Sequence, residues 1–394
     1  MIINKFNIKL ITKLLHINEG LLKLKLPDNK ELYIGKINSK FIAELDIHSW
    51  QIFNKIIKEG SMGFAEAYMN SEASSPDILK VIQLLGMNRK YNKKIIQGKV
   101  LYSLYNYMQH IFRPNSKNGS KKNISSHYDL GNSFYSKWLD KSMTYSSGIF
   151  INKKIDLKTA QENKYENLCK ITKIQRSDEV LEVGCGWGGF AEYAAKTYGT
   201  KVTGLTISKK QAEYAKKRIY EQGLNDLVEI KIMDYRDVTY KYDKIISIEM
   251  FEAVGEKYWP VFFNKLHENL KDGGLIGVQL ISINNELYSS YRNNVDFIQK
   301  YIFPGGFLPS LEALSQAASK AKLHMEIKKS FGKDYAKTLS FWRNTFVSKW
   351  DTISKEERFN ENFKRMWEYY LSYCEAGFLL GSTDVHQILF NKFN

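Results

Sequence analysis

Residues 143–150 read MTYSSGIF, and Tyr145, Ser146 and Ser147 set three hydroxyls side by side. The stretch follows neither the helix period nor strand alternation, so packing alone does not explain it. A second chemical stretch is VLEVGCGWGGF, Val180–Phe190, where an apolar run meets Gly184-x-Gly186-x-Gly188 and then a helical pattern. Glycines there admit positive φ and close backbone approach, and a helix start offers free N–H groups. Taken alone, such a turn serves a dinucleotide or is purely structural. The next strand-like run, KVTGLTISKKQ, lacks the acid that commonly grips a ribose and offers Thr206, Ser208 and Gln211 instead. Asp234, in IMDYRDV, ends a third run and is either a turn cap or an acceptor for a cofactor amino group. Glu252 follows the fourth run, KIISIEM. It either caps a helix begun near Glu249 or serves catalysis from a strand's carboxyl end.

These positions need a scaffold, and the pattern supplies one. From residue 178 onward, strand-like and helical segments alternate: DEVLEVG, GGFAEYAAKTYG, KVTGLTIS, SKKQAEYAKKRIYEQG, VEIKIMDY, KIISIEM and finally LIGVQLISI. Such alternation predicts an α/β, doubly wound fold with a parallel sheet and helices on both faces. Upstream, residues 1–85 read as a small α+β unit. Leu21–Pro27 alternates as a strand, Asp28-Asn29 makes a turn, and the run from His48 to Glu72 reads as helices punctuated by Gly60 and Gly63. Arg113–Asn123, rich in Pro, Gly, Ser and Lys, marks a boundary. The expected division is an N-terminal domain over 1–113, a linker over 114–123 and a catalytic domain over 124–394.

Composition narrows the function class. The 394 residues are 43% hydrophobic and 25% charged, ordinary for a globular protein. Cys169, Cys185 and Cys374 are too scattered for a disulfide framework or a zinc site, which suggests a reducing compartment and no bound metal. No apolar run is long enough to span a bilayer. The N-terminal MIINKFNIKLITKLLHI carries Lys5, Lys9 and Lys13 and reads as an amphipathic helix rather than a signal peptide. The net charge is +16, and Ile78–Tyr128 contains no carboxylate while holding Lys80, Arg89, Lys90, Lys93, Lys94, Lys99, Arg113, Lys117, Lys121 and Lys122 among several aromatics. That segment is either a solvated basic face or a surface for an anionic bilayer or nucleic acid.

The E-x-G-x-G strand end resembles the first motif of class I S-adenosylmethionine (SAM) methyltransferases. A more specific resemblance runs along the chain. HYDLGNSFYSKWLDKSMTYSSGIF, LEVGCGWGGF, GLTISKKQ, MFEAVG, YIFPGG, FGKDYAKTL and RMWEYYLSYCEAGF occur in order and are similar to the cyclopropane-fatty-acyl-phospholipid synthase family, which includes the mycolic acid methyltransferases. PDNKELYIG and KEGSMGFAEAYM resemble the N-terminal domain of its phospholipid-acting members.

The resemblance implies a Rossmann-like SAM-dependent methyltransferase that adds a methyl group to the double bond of an unsaturated acyl chain, through a carbocation closed to a cyclopropane. It implies SAM contacts at Tyr145, Ser146, Gly184, Gly186, Thr206, Ile207, Gln211, Asp234 and Tyr235. It further implies, as base, a bicarbonate ion held by a Cys, a Glu, a His and a Tyr. Glu252 and Tyr335 match the Glu and Tyr, whereas Ser147 stands at the Cys position, Gln279 at the His position, and Ala253 replaces the His beside the Glu. Serine and glutamine still donate hydrogen bonds to an oxyanion but do not titrate as thiol and imidazole do. That change makes a methyl- or methylene-branched chain the alternative product. The expected partner is a phospholipid acyl chain at an anionic membrane surface, with the enzyme cytoplasmic and peripheral on the inner face of the cytoplasmic membrane. No nucleic acid is expected, and a homodimer is left open. A small-molecule or RNA methyltransferase of the same fold is the rival class.

Overall fold

The computed structural model describes residues 15–92, 96, 115–117, 119–120, 130–152 and 154–393. His127, Asp129, the N-terminal amphipathic segment to residue 14 and most of the basic run lie outside them; Lys80, Arg89, Lys90 and Lys117 are described.

The N-terminal unit is a four-stranded sheet, β1 (Leu21–Lys25), β2 (Glu31–Gly35), β3 (Ile42–Ile47) and β4 (Ala73–Ser74), ordered β2-β1-β3-β4. The expected turn is there: Asn29 has φ 63° and Leu26 N–H donates to Lys30 O at 2.8 Å. Gly60 separates the helices Gln51–Glu59 and Ser61–Met69, but Gly63 sits inside the second instead of breaking it. A Cβ at Gly63 would lie 2.3 Å from Lys55 O, so glycine is there to let the helices approach.

The larger sheet has seven strands: β5 (Glu179–Val183), β6 (Lys201–Thr206), β7 (Val228–Ile232), β8 (Tyr242–Ile248), β9 (Leu270–Ile283), β10 (Leu323–Ser330) and β11 (Thr383–Lys392), in the order β10-β11-β9-β8-β5-β6-β7. The expected parallel block is β9-β8-β5-β6-β7. The sheet is nevertheless mixed, because β11 lies antiparallel between β9 and β10. Gly381, at φ 68°, reverses the chain after helix Glu361–Leu379 and sends it back as β11, whose middle residues Val385–Ile388 are buried.

The two units share one core. Leu22, Leu45 and Phe64 belong to the same apolar cluster as Phe134, Trp138, Trp342, Trp367 and Tyr370. Polar ties reinforce it: Arg365 Nε donates to Tyr68 O at 2.6 Å with its guanidinium 4.1 Å from the Tyr68 ring, and Glu66 accepts from Lys300 (2.7 Å) and Tyr301 (2.6 Å). Most of the aromatic surplus is spent here. Trp138 and Trp342 pack edge-on at 5.8 Å, and Phe134 meets Trp367 at 5.0 Å, each such pair adding about 0.5–1.5 kcal/mol beyond area burial.

Candidate active site

The chain enters the sheet at β5, proceeds through β6 to β7, and returns to the other side of β5 as β8. The carboxyl ends of β5 and β8 therefore flank the topological switch point, where doubly wound sheets bind ligands. A cavity of about 960 Å³ opens there. Tyr145, Ser146, Gly184, Gly186, Thr206, Ile207, Gln211, Asp234 and Tyr235 all line it.

The glycine loop is held on the next strand by Gly184 N–H and Cys185 N–H, which both donate to Leu205 O, at 3.0 and 2.7 Å. Its first and last glycines are dictated by packing, since a Cβ on Gly184 would meet Met250 at 2.6 Å and one on Gly188 would meet Ala215 at 3.1 Å. Gly186, at φ 52°, has nothing within 4 Å of its would-be Cβ among the described residues. Beside it, the buried Glu182 lines the cavity with an Oε2 that has no partner among the described residues, and burial pushes its pKa up to about 8. A cradle of bare backbone with an unpaired acceptor suits a ligand carrying an ammonium group and a flat heterocycle, as SAM does. Gln211 is fixed for such a ligand by Thr206 Oγ1, which donates to its Oε1 at 3.0 Å, while Ser208 is committed to capping the helix Lys209–Glu221. Asp234 is gripped by Arg236 through Nε (2.8 Å) and Nη2 (2.6 Å). Burial raises that carboxyl, but the Arg236 hydrogen bonds and charge outweigh it and hold it below its usual range. Burial keeps the Cys185 thiol protonated.

Tyr145 Oη is 2.6 Å from Tyr370 Oη, and its ring packs on Trp342 at 5.3 Å. The Ser146 hydroxyl accepts from the buried Lys164 Nζ at 2.6 Å, which also donates to Gln161 Oε1 at 2.6 Å. Lys164 is pushed down to about 7 by burial, against the pull of Glu249, Asp140 and Glu182.

Of the four residues expected to hold a base, Glu252 and Tyr335 line the cavity. Ser147 and Gln279 are fully buried behind it. The residue that joins them is Glu249, which also lines the cavity. Its Oε1 accepts from Ser147 N–H (2.9 Å) and Gln279 Nε2 (2.7 Å), and its Oε2 from Tyr335 Oη (2.5 Å). The Ser147 hydroxyl turns away to donate to Gly148 O at 3.0 Å. The Gln279 amide is itself oriented, its Oε1 accepting from Gln387 Nε2 at 2.9 Å. Glu252 Oε1 accepts from Ile281 N–H at 2.6 Å, while its Oε2 has no partner among the described residues. Burial, then the neighbouring Glu249 charge, pushes Glu252 up to about 8. Two carboxyls of unlike environment thus face one cavity, Glu249 with three donors and Glu252 with one. The first is the better anion and the second the better acid. The expected bicarbonate does not fit this arrangement: Gln279 and Tyr335 both give their hydrogen bonds to Glu249, and a further anion would sit against that carboxylate unsupported.

Glu249, Lys164 and Gln387 were not singled out by sequence reasoning. Glu249 was weighed only as a helix start, three residues before Glu252. Lys164 did leave a signal: it falls on the stripe Leu157, Ala160, Gln161, Lys164, Leu168 that the helix Leu157–Ile171 buries.

Cradle, switch point and SAM-shaped polar groups define a class I SAM-dependent methyltransferase. Its solved neighbours include a mycolic acid cyclopropane synthase complexed with SAH and CTAB, at TM-score 0.65 and 27% identity, covering 69% of this chain and 98% of that one. The chain belongs to the mycolic acid cyclopropane synthetase family, whose profile matches residues 115–388. Its relatives include the tuberculostearic acid methyltransferase of Mycobacterium tuberculosis, 35% identical over 348 residues (84% of this chain, 79% of the relative). They also include the cyclopropane-fatty-acyl-phospholipid synthase of Escherichia coli, 33% identical over 372 residues (90% of each chain).

Proposed function

We propose that this enzyme transfers the methyl group of SAM to the double bond of an unsaturated acyl chain of a membrane phospholipid. The observation that carries this reading is the lining of the cavity at the switch point. The glycine cradle and the two carboxyls open into a region walled by Leu22, Leu24, Leu45, Phe64, Ile82 and Leu85 of the N-terminal unit. A long hydrocarbon chain buries its methylenes there at about 0.8 kcal/mol each, which a small polar amine or an RNA base does not do. The names of the relatives support a lipid substrate.

Bound SAM supplies an electrophilic methyl group on a sulfonium. The protein's part is to aim the alkene at it, keep water away and remove a proton afterwards. The alkene π pair forms the new carbon–carbon bond, the carbon–sulfur pair stays on sulfur, and the adjacent chain carbon is left cationic. Tyr145 and Tyr370, whose hydroxyls meet at 2.6 Å, both line the cavity and are aromatic rings available to stabilise that charge. Loss of a proton from the new methyl, with its pair closing onto the cation, gives a cyclopropane. Migration of a hydride first, then loss of a proton from the methyl, gives a methylene branch. A saturated methyl branch requires a hydride donor besides SAM, so it needs a separate reductase. The exchange of titratable groups for Ser147 and Gln279 favours weighing the branched product beside the ring. Mass spectrometry of lipids from a host expressing the chain tests the reading, and active protein that yields neither product refutes it.

A further inference from the structure

We infer that the carboxylate of Glu249 is the built-in base of this site and takes the place of a bicarbonate ion. The inference rests on the acyl-methylation reading above. Four observations converge on it.

First, the donors that would hold a loose oxyanion hold Glu249 instead. Ser147 N–H and Gln279 Nε2 meet Oε1, and Tyr335 Oη meets Oε2. A carboxylate has about four lone-pair sites, so among the described residues three are filled and one on Oε2 stays free to receive a proton. Second, the backbone is set for this purpose. Glu249 adopts φ 49°, which side chains other than glycine rarely take, and its N–H donates to Gln279 O at 2.8 Å. Strain of this kind collects at functional sites. Third, every other titratable group facing it is unsuited to the role. Burial raises Glu249 too, but Tyr335, Lys164, Gln279 and the Ser147 N–H oppose it, whereas Glu252 is driven up to about 8 by burial and by Glu249 itself, and Tyr335 is held protonated by burial. Ser147 and Gln279 do not titrate. Fourth, Glu249 and Tyr335 line the cavity that holds the glycine cradle, so the Glu249 carboxyl borders the reaction chamber.

The step balances without a further reactant. A C–H bond of the transferred methyl breaks, its electron pair closes the ring or forms the branch alkene, and the proton passes to Glu249 Oε2. Water reprotonates nothing on the substrate, and Glu249 returns its proton to solvent after product leaves.

The test uses the purified full chain, SAM and vesicles of unsaturated phosphatidylglycerol. Wild-type methyl transfer is expected to be indifferent to rigorous removal of bicarbonate and to its addition, and carbon-13 NMR of bicarbonate is expected to show no site on the protein. Glu249→Gln should lose about 10²–10⁴-fold in rate, the scale of a general base, with SAM affinity by calorimetry unchanged. Glu249→Gly removes the carboxylate and relieves the positive φ; it should bind bicarbonate and regain activity when bicarbonate or formate is added. Bicarbonate bound by, or required by, the wild type overturns the inference, and so does Glu249→Gln at full rate. If the wild type binds SAM yet methylates no lipid, the substrate reading falls, while the bicarbonate-binding arm still decides what Glu249 replaces.

Discussion

Replacing Tyr335 by Phe deletes one hydroxyl and keeps the ring, which stacks on Phe378 at 4.4 Å and meets Trp342 edge-on at 6.2 Å. The loss is confined to the 2.5 Å hydrogen bond to Glu249. Burial raises the Glu249 carboxyl, and the Tyr335 hydrogen bond is the largest influence opposing it, followed by the Lys164 charge and Gln279. A hydrogen bond to a charged group is worth about 1.5–3 kcal/mol, and 1.36 kcal/mol corresponds to one pH unit, so the acid limb should move by about 1–2 pH units. The sign follows from the role. The base works ionised, wild-type rate falls as pH drops through the Glu249 pKa, and the variant must begin to fall at higher pH. The assay is incorporation of labelled methyl into unsaturated vesicles across pH, beside SAM calorimetry on the same samples. An acid limb that stays put or moves to lower pH, with SAM binding intact, refutes the assignment of Glu249 as the titrating base.

Other outcomes follow from the same geometry. Gly186→Asn places a side chain in the open cradle and should abolish SAM binding while circular dichroism stays native, since asparagine tolerates the φ of 52° and nothing lies within 4 Å of that Cβ among the described residues. Lys164→Met removes the donor to Ser146 and a cation that opposes the burial of Glu249; the acid limb should again rise, and SAM affinity should fall because Ser146 loses the bond that positions it. Trp342→Ala empties a fully buried aromatic site against Trp138 and Tyr145 and should cost about 3–5 kcal/mol in denaturant unfolding. Charge reversal at Lys90, Lys93 and Lys94 should weaken co-sedimentation with anionic liposomes and spare SAM affinity, because each basic residue near such a surface contributes about 1 kcal/mol.

The parts of the fold that repeat were legible. Each βα unit announces itself by a β-branched run, a glycine or polar break and a helical stripe, so β5 to β9 and the cradle at Gly184–Gly188 could be read directly. The antiparallel return of β11 could not, because a strand's direction is set by where the preceding helix ends and Gly381 turns. The site was half legible. Residues at strand ends, such as Asp234 and Glu252, declare themselves by position. Glu249 does not, because a glutamate one residue past β8 reads equally as a cap, and only its strained φ and three converging donors distinguish it. Lys164 was hidden by the abundance of lysine. Its meaning comes from burial, which a sequence this basic does not advertise.

The central claim is that an acyl double bond receives the methyl of SAM in this cavity. Incubating the full chain with deuterated-methyl SAM and mixed saturated and unsaturated phospholipid vesicles, then analysing the hydrolysed acyl chains by mass spectrometry, tests it most directly. Label should appear only on chains that carried a double bond, in a cyclopropane or a methylene branch that has lost one deuteron. Label on the headgroup or on saturated chains, or none on lipid from protein that binds SAM, would contradict it.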